Sequence, residues 1–156
     1  YRKALVSNMH HLSLAYAQGD VLYTHAGVSV EWLNRFAVKQ DSETPWLRLS
    51  ARDIAKAVND TFVQFPQRFD FNGFNPFGDD PQQSPIWIRP WALEIANIGR
   101  LDARLIQVFG HTVSKDPEAV FQKSLESEGH KYFHADMLSD RKFLVLDGDS
   151  FHLRNV

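Results

Sequence analysis

The chain has 156 residues, of which 44% are hydrophobic, and this is enough for one domain with a substantial buried core. The formal charge of −2 excludes the excess of Lys and Arg that binds nucleic acid or an anionic membrane, so we expect neither partner. Cysteine is absent and the first residues do not read as a signal peptide, which together favour a cytoplasmic location and leave His, Asp, Asn and Glu as the available metal ligands.

The first part of the chain predicts a β-hairpin between helical segments. Residues 1–10 read as the end of a helix, and residues 12–17 alternate toward a turn at Gln18-Gly19-Asp20. Residues 21–24 then return as a buried strand that ends at His25. Two helices follow, one over residues 28–38 and one that Ser50 would cap. The apolar face of the second helix consists of Ile54, Val58, Phe62 and Phe65.

A long loop with aromatic anchors is predicted for residues 65–85. Proline and glycine recur there between four phenylalanines, and loops of this length are often lids or binding loops. Residues 86–91 predict an element at the edge of a sheet, because Pro90 cannot donate a hydrogen bond to a strand ladder. A short helix is predicted after this element.

The last third of the chain is rich in predicted strands. Residues 104–109 form a strand that ends at Gly110-His111, and Asp116 with Pro117 begins a helix. Three more strands are predicted over residues 131–136, 143–147 and 151–155, with the last two joined by a tight turn at Gly148-Asp149. The whole pattern therefore predicts a fold of class α/β (α+β).

His25 and His111 are the main candidates for chemistry. Each follows a buried apolar run and precedes small residues, so each imidazole would stand on a tight turn at the end of a strand. A single histidine in such a place is more often structural, and the interpretation of the two as metal ligands, 86 positions apart, depends mostly on a resemblance to a family of metal-dependent enzymes. We expect both histidines to lie within ligand reach of a common point. The resemblance implies ring nitrogens within roughly 4 to 7 Å of each other, as ligands of adjacent metals at about 2.1 Å each.

The two segments VLYTHAGV, residues 21–28, and LIQVFGHT, residues 105–112, resemble the last two metal-ligand motifs of the calcineurin-like metallophosphoesterases. Those motifs read GH(A/G)G and GH(T/Q). The resemblance extends over about residues 12–156 and is to the protein serine/threonine phosphatase-like branch, including the bacterial Shewanella-like and diadenosine-tetraphosphatase-like phosphatases. It implies a phosphatase that hydrolyses a phosphorylated substrate with two divalent metal ions, Mn, Fe or Zn.

The same resemblance implies a four-layer α/β/β/α sandwich, of which residues 1–156 would be the C-terminal part. The earlier motifs of that family, Asp-x-His, Gly-Asp-x-x-Asp-Arg and Gly-Asn-His-Glu, occur nowhere in the chain, and Asn8-Met9-His10-His11 is only a partial imitation. The other ligands, two Asp, one His and one Asn, should therefore lie upstream of Tyr1 in the missing N-terminal part of the fold. We expect the chain alone to be inactive, and it offers no residue that we can name as catalytic.

Arg89 is the candidate for substrate binding. Its segment, Ser84-Pro85-Ile86-Trp87-Ile88-Arg89-Pro90, resembles the (G/S)P(L/I)W-x-R segment of bacterial members of the family, in which the arginine faces the substrate phosphate. A planar guanidinium can hold two phosphate oxygens at once. Without the resemblance, Arg89 would read as one half of a surface ion pair.

Two other functions are compatible with these residues. The chain could be a non-catalytic interaction or regulatory module that keeps half of the phosphatase fold, or an unrelated hydrolase with a mononuclear site of two histidines. Other polar groups do not suggest a site: Asp147-Gly148-Asp149 reads as a turn, Asp140-Arg141 lacks the Gly-Asp context of the family, and no spacing brings His130, His134 and His152 together.

Overall fold

The computed structural model describes residues 12–38, 45–70, 75–129 and 131–156. These residues form six strands and four α-helices, so the predicted mixture of helix and strand is confirmed. The predicted helix end at residues 1–10, the His10-His11 pair and His130 lie outside the described residues.

The elements are β1 (Ala15–Gln18), β2 (Val21–Thr24), α1 (Val30–Phe36), α2 (Ala51–Gln64), α3 (Pro90–Asn97), β3 (Ile106–Phe109), α4 (Pro117–Glu126), β4 (Lys131–His134), β5 (Lys142–Asp147) and β6 (Ser150–Asn155).

The first four strands form one mixed sheet in the order β1-β2-β3-β4. β1 and β2 are the predicted antiparallel hairpin, whereas β2, β3 and β4 run parallel to one another. Thr24, the last residue of β2, is paired with Phe109, the last residue of β3. The two strands therefore end at the same level, and the residues that follow them leave the sheet at the same edge.

The other two strands form a separate hairpin, as predicted. β5 and β6 pair in register from Lys142 and Asn155 to Asp147 and Ser150, and Gly148 takes the positive φ of +59° that the tight turn requires. The hairpin is attached to the main sheet through aromatic packing. The rings of Phe151 and Phe133 are stacked with their centroids 4.0 Å apart.

The helices α1 and α2 cover one part of the main sheet. α2 begins after Ser50 as predicted, whereas α1 begins at Val30, two residues later than predicted. Ser29 caps α1 by accepting from the Trp32 N–H, and Ser50 caps α2 through a capping box with Asp53. Core side chains from these helices pack against β1 and β2, and they include Trp32, Leu33, Ile54 and Val58. Among the described residues, no helix combines the length and the apolar character needed to cross a membrane.

The predicted edge element at residues 86–91 is wrong. The chain instead makes a turn in which the N–H groups of Trp87 and Ile88 both donate to the Ser84 carbonyl, at 2.9 and 3.1 Å, and α3 then begins at Pro90. The missing N–H of proline is harmless at an edge strand, but it is equally harmless in the first turn of a helix, where no acceptor exists. Pro90 therefore marks the first turn of α3 and not an edge strand.

The predicted long loop is partly ordered by a short 3₁₀ helix at Pro66–Phe69. Phe69 is buried in the core, whereas Phe77 is largely exposed, and residues 71–74 lie outside the described residues. One backbone hydrogen bond connects the segment from Gly78 to Arg89 with the turn after β2, and a second joins the two ends of the segment to each other. The Pro85 carbonyl accepts from the Ala26 N–H at 2.8 Å, and the Gly78 carbonyl accepts from the Arg89 N–H at 2.9 Å.

Candidate metal centre

The turns after β2 and β3 bring His25 and His111 into direct contact. Nε2 of His25 lies 3.0 Å from Nδ1 of His111, and the ring centroids are 4.8 Å apart at an interplanar angle of 61°. The predicted separation of 4 to 7 Å is wrong, because it assigned one histidine to each of two adjacent ions. The observed distance is that of a hydrogen bond between the two imidazoles, and it is also short enough for both nitrogens to face one common point.

Backbone geometry at both turns produces this arrangement. His111 has a φ of +66°, a left-handed conformation that is uncommon for a residue other than glycine and often marks a functional position. The Gly110 N–H donates to the His25 carbonyl at 2.9 Å, which joins the two turns directly. On the other side Gly27 has a φ of +99°, and its N–H donates to Oγ1 of Thr24 at 3.0 Å. The glycine lets the chain reverse immediately after the histidine.

The surroundings of His111 favour a neutral imidazole. Burial lowers its pKa from the ordinary value, and the nearby Arg89 guanidinium and His25 lower it further, while the Asp136 carboxylate and a backbone carbonyl at Trp87 oppose them. The ring of Trp87 lies over it, with centroids 5.4 Å apart. Nε2 of His111 is buried and, among the described residues, has no hydrogen-bond partner of normal geometry. In the tautomer that has its proton on Nε2, Nδ1 carries a lone pair that can accept a hydrogen bond or bind a metal.

The two imidazoles fit two positions on one metal ion. Nitrogens 3.0 Å apart, each about 2.1 Å from a common ion, subtend an angle of about 90°, which is the angle between neighbouring ligands of an octahedral centre. Across residues 12–38, 45–70, 75–129 and 131–156, no group of three or more His, Asp or Glu side chains is placed to hold a metal. The described residues thus supply two imidazole nitrogens at this point, fewer than the three or four protein ligands of a typical metal site.

Arg89 is fixed to the turn that carries His111. Its Nη1 donates to the His111 carbonyl at 3.3 Å and to Oγ1 of Thr112 at 3.0 Å, and its Nε donates to the Phe77 carbonyl at 3.1 Å. The side chain is half-buried, and within the described part of the chain it forms no salt bridge and its Nη2 donates to no protein atom. Nη2 of the guanidinium is therefore available to a further acceptor.

Arg89 is positioned by three residues that the sequence alone did not indicate, namely Thr112, Phe77 and Gly78. Gly78 has a φ of +82°, and a β-carbon there would lie 2.5 Å from the Trp87 carbonyl oxygen and 2.9 Å from Cγ of Arg89. Only glycine fits this contact. A glycine in a loop was visible in the sequence, but its contact with a residue 11 positions later was not. Thr112 belongs to the motif at residues 105–112, but the motif does not indicate its hydrogen bond with Arg89.

The residues that the sequence analysis set aside stay apart from this site. Asp147-Gly148-Asp149 is the turn between β5 and β6, as predicted. His134 is buried at the end of β4, with its ring 4.8 Å from that of Phe109, and His152 lies on β6. Neither belongs to a cluster of metal-binding side chains among the described residues.

Comparison with known proteins gives no assignment. No protein-family model matches the chain, and neither a curated protein nor a solved structure matches it. The function must therefore be inferred from the two histidine motifs, the arginine segment and their geometry.

Proposed function

We propose that the chain is the C-terminal part of a metal-dependent phosphoesterase that resembles the calcineurin-like phosphatases. In this proposal the main sheet and its helices are part of a four-layer α/β/β/α sandwich. The remaining metal ligands come from an N-terminal part of the same fold, upstream of Tyr1. The substrate is a phosphorylated molecule, and the complete centre holds two divalent ions.

The observation that carries the proposal is the 3.0 Å contact between Nε2 of His25 and Nδ1 of His111. Two residues from distant motifs converge on one point, at the carboxyl ends of two neighbouring parallel strands, and such strand ends are the usual location of sites in α/β proteins. The low pKa of His111 supports ligation, since only a neutral imidazole binds a metal.

Arg89 has the role of holding the phosphoryl group. Its Nε and Nη1 are used to fix the side chain to the protein, while Nη2 is directed to no atom of the described residues. A guanidinium that is held in place before the substrate arrives stabilises developing negative charge without reorganising. The divalent ions supply Lewis-acid activation of the phosphate ester when they are bound.

The proposal is tested by comparing two proteins. The first is this chain, and the second, the longer protein, is the product of the reading frame extended upstream of Tyr1, which the proposal requires to contain the other metal ligands. We expect the longer protein to hydrolyse 4-nitrophenyl phosphate with Mn²⁺ and to lose this activity with a chelator, whereas the chain alone shows no hydrolysis above background. In the longer protein, His25→Asn and His111→Asn should abolish turnover, and the matched control His152→Asn should leave it unchanged.

Each other outcome of this comparison contradicts the proposal. Metal-dependent turnover by the 156 residues alone would show that the centre is complete without an N-terminal part. A longer protein that is folded and inactive with Mn²⁺, Fe²⁺ and Zn²⁺ would instead favour a binding module built on half of a phosphatase fold.

A further inference from the structure

A cavity of about 410 Å³ lies between α3, α4 and β4, and none of its lining residues belongs to the site around His25, His111 and Arg89. Its volume is within the range of about 300 to 1,000 Å³ that is typical of small-molecule sites. The walls are mostly apolar, and they include the side chains of Glu94, Ala103, Lys123, Tyr132 and His134.

His134 is the unusual residue of this cavity. Only 8% of its surface is exposed, and one face of its ring packs against Phe109 at a centroid distance of 4.8 Å. Among the described residues no hydrogen bond involves its ring nitrogens, and these nitrogens are not fully enclosed by the protein, because the imidazole lines the cavity. A ligand that hydrogen-bonds to this imidazole would satisfy a group that the protein itself leaves without a partner.

The other polar groups at the cavity are neutral or already paired. The Tyr132 hydroxyl is hydrogen-bonded to Asn97, and burial raises its pKa, so it stays protonated. Nζ of Lys123 lies 2.9 Å from Oε2 of Glu94, and this ion pair leaves the rim without net charge. Burial lowers the pKa of His134, which keeps the imidazole neutral at pH 7. An anionic ligand would face the Glu94 carboxylate, and a cationic one would face Lys123.

We propose that this cavity binds an uncharged aromatic alcohol, whose ring lies between the apolar walls and whose hydroxyl donates a hydrogen bond to the imidazole of His134. A neutral imidazole has one nitrogen that accepts and one that donates, so a hydroxyl is a matched partner. The aromatic body fits the apolar lining, which excludes a strongly hydrated ligand such as a sugar or a free phosphate.

Fluorescence titration with 2-naphthol tests this site, with 2-methoxynaphthalene as the matched probe that cannot donate a hydrogen bond. We expect saturable binding of 2-naphthol by the protein at pH 7.5 and at least 10-fold weaker binding of 2-methoxynaphthalene, equivalent to about 1.4 kcal/mol. The ring signals of His134 in NMR spectra should shift on addition of 2-naphthol. Failure of 2-naphthol to bind, or equal affinity for both probes, would overturn the proposal.

Four variants locate the binding to the cavity. His134→Phe should weaken 2-naphthol binding at least 10-fold, whereas His134→Gln, which keeps a donor and an acceptor, should retain most of the affinity. Ala103→Trp adds bulk at an exposed position of the lining and should also reduce affinity at least 10-fold, without a change in circular dichroism. The control is Val63→Trp, on the exposed side of α2, which should bind as the original protein does. Unchanged affinity in the Ala103→Trp variant would overturn the assignment even if His134→Phe does not fold.

Discussion

Nη1 of Arg89 donates to Oγ1 of Thr112 at 3.0 Å, and this bond joins the turn before α3 to the turn after β3. The same Nη1 contacts the His111 carbonyl at 3.3 Å. The candidate phosphate-binding side chain is thus attached to His111, a candidate metal ligand, and to Thr112, the residue that follows it. A substitution at Thr112 should therefore alter the position of the Arg89 guanidinium, even if Thr112 does not contact a substrate.

Arg89→Ala in the longer protein should reduce kcat/KM by about 10²-fold, or about 2.7 kcal/mol, because a fixed donor to a developing anion is lost. Metal content should be unchanged, since Arg89 is not a ligand. Arg89→Lys should recover only part of the loss, because an ammonium cannot keep the bonds to Phe77 and Thr112 while it presents a further planar N–H to the anion. Steady-state kinetics and melting temperatures measure both effects. Unchanged kinetics, or a large fall in melting temperature as the main effect, would remove Arg89 from phosphate binding.

Thr112→Val separates positioning from direct contact. The substitution removes the hydroxyl that accepts from Nη1 of Arg89 but keeps the shape of the side chain. We expect a loss of about 3- to 10-fold in kcat/KM, and no further loss when the substitution is combined with Arg89→Ala. Additive losses in the double variant would show that Thr112 acts independently of Arg89.

Metal stoichiometry distinguishes one shared ion from two separate ions. Because the facing nitrogens of His25 and His111 are 3.0 Å apart, we expect His25→Asn and His111→Asn each to remove the same single ion from the longer protein. The double variant should then lose no more metal than either single variant. Inductively coupled plasma mass spectrometry of desalted protein gives the count. Loss of one ion in each single variant and of two in the double variant would contradict a shared ion.

Gly27→Ala should destabilise the fold by roughly 2 to 4 kcal/mol, the sum of a left-handed backbone cost and overpacking. Gly27 has a φ of +99°, and a β-carbon there would collide with the Leu93 side chain of α3. Gly19→Ala is the control, because Gly19 also has a positive φ, +58°, but an added β-carbon meets no atom within 4 Å. Urea unfolding compares the two. Equal losses would show that the contact with Leu93 has no energetic consequence.

Stability should fall in acid partly through His134. Burial lowers the pKa of this histidine in the folded state, so the unfolded chain binds a proton more readily as the pH decreases below about 6.5. The contribution of His134 is therefore fully present above pH 6.5 and is lost as the pH falls toward the lower pKa of the folded state. His134→Gln should show a smaller decrease in its urea midpoint between pH 7.5 and pH 5. An identical decrease in both proteins would contradict a buried neutral His134.

Local chemistry made several elements predictable. Ser50 with Asp53 specifies the start of α2, and Gly19 and Gly148 specify the two hairpin turns, because the required contacts lie within three residues of one another. Residues 86–91 were assigned wrongly because proline at position 90 satisfies the local requirements of both an edge strand and a helix start. Packing against the Gly78 turn and the Ala26 backbone, which is not local, decides between them.

The sequence by itself determined which side chains stand at the ends of β2 and β3, since an apolar run followed by a histidine and small residues dictates a buried strand and a turn. The tertiary structure decided how far apart the two imidazoles lie. That distance depends on the register of β2 with β3 and on the left-handed backbone of His111, and both result from pairing between segments that are 86 residues apart. For the same reason, the contacts of Arg89 with Phe77 and Thr112 and the unpaired imidazole of His134 emerged only in the folded chain, because each is a relation between residues that are distant in sequence.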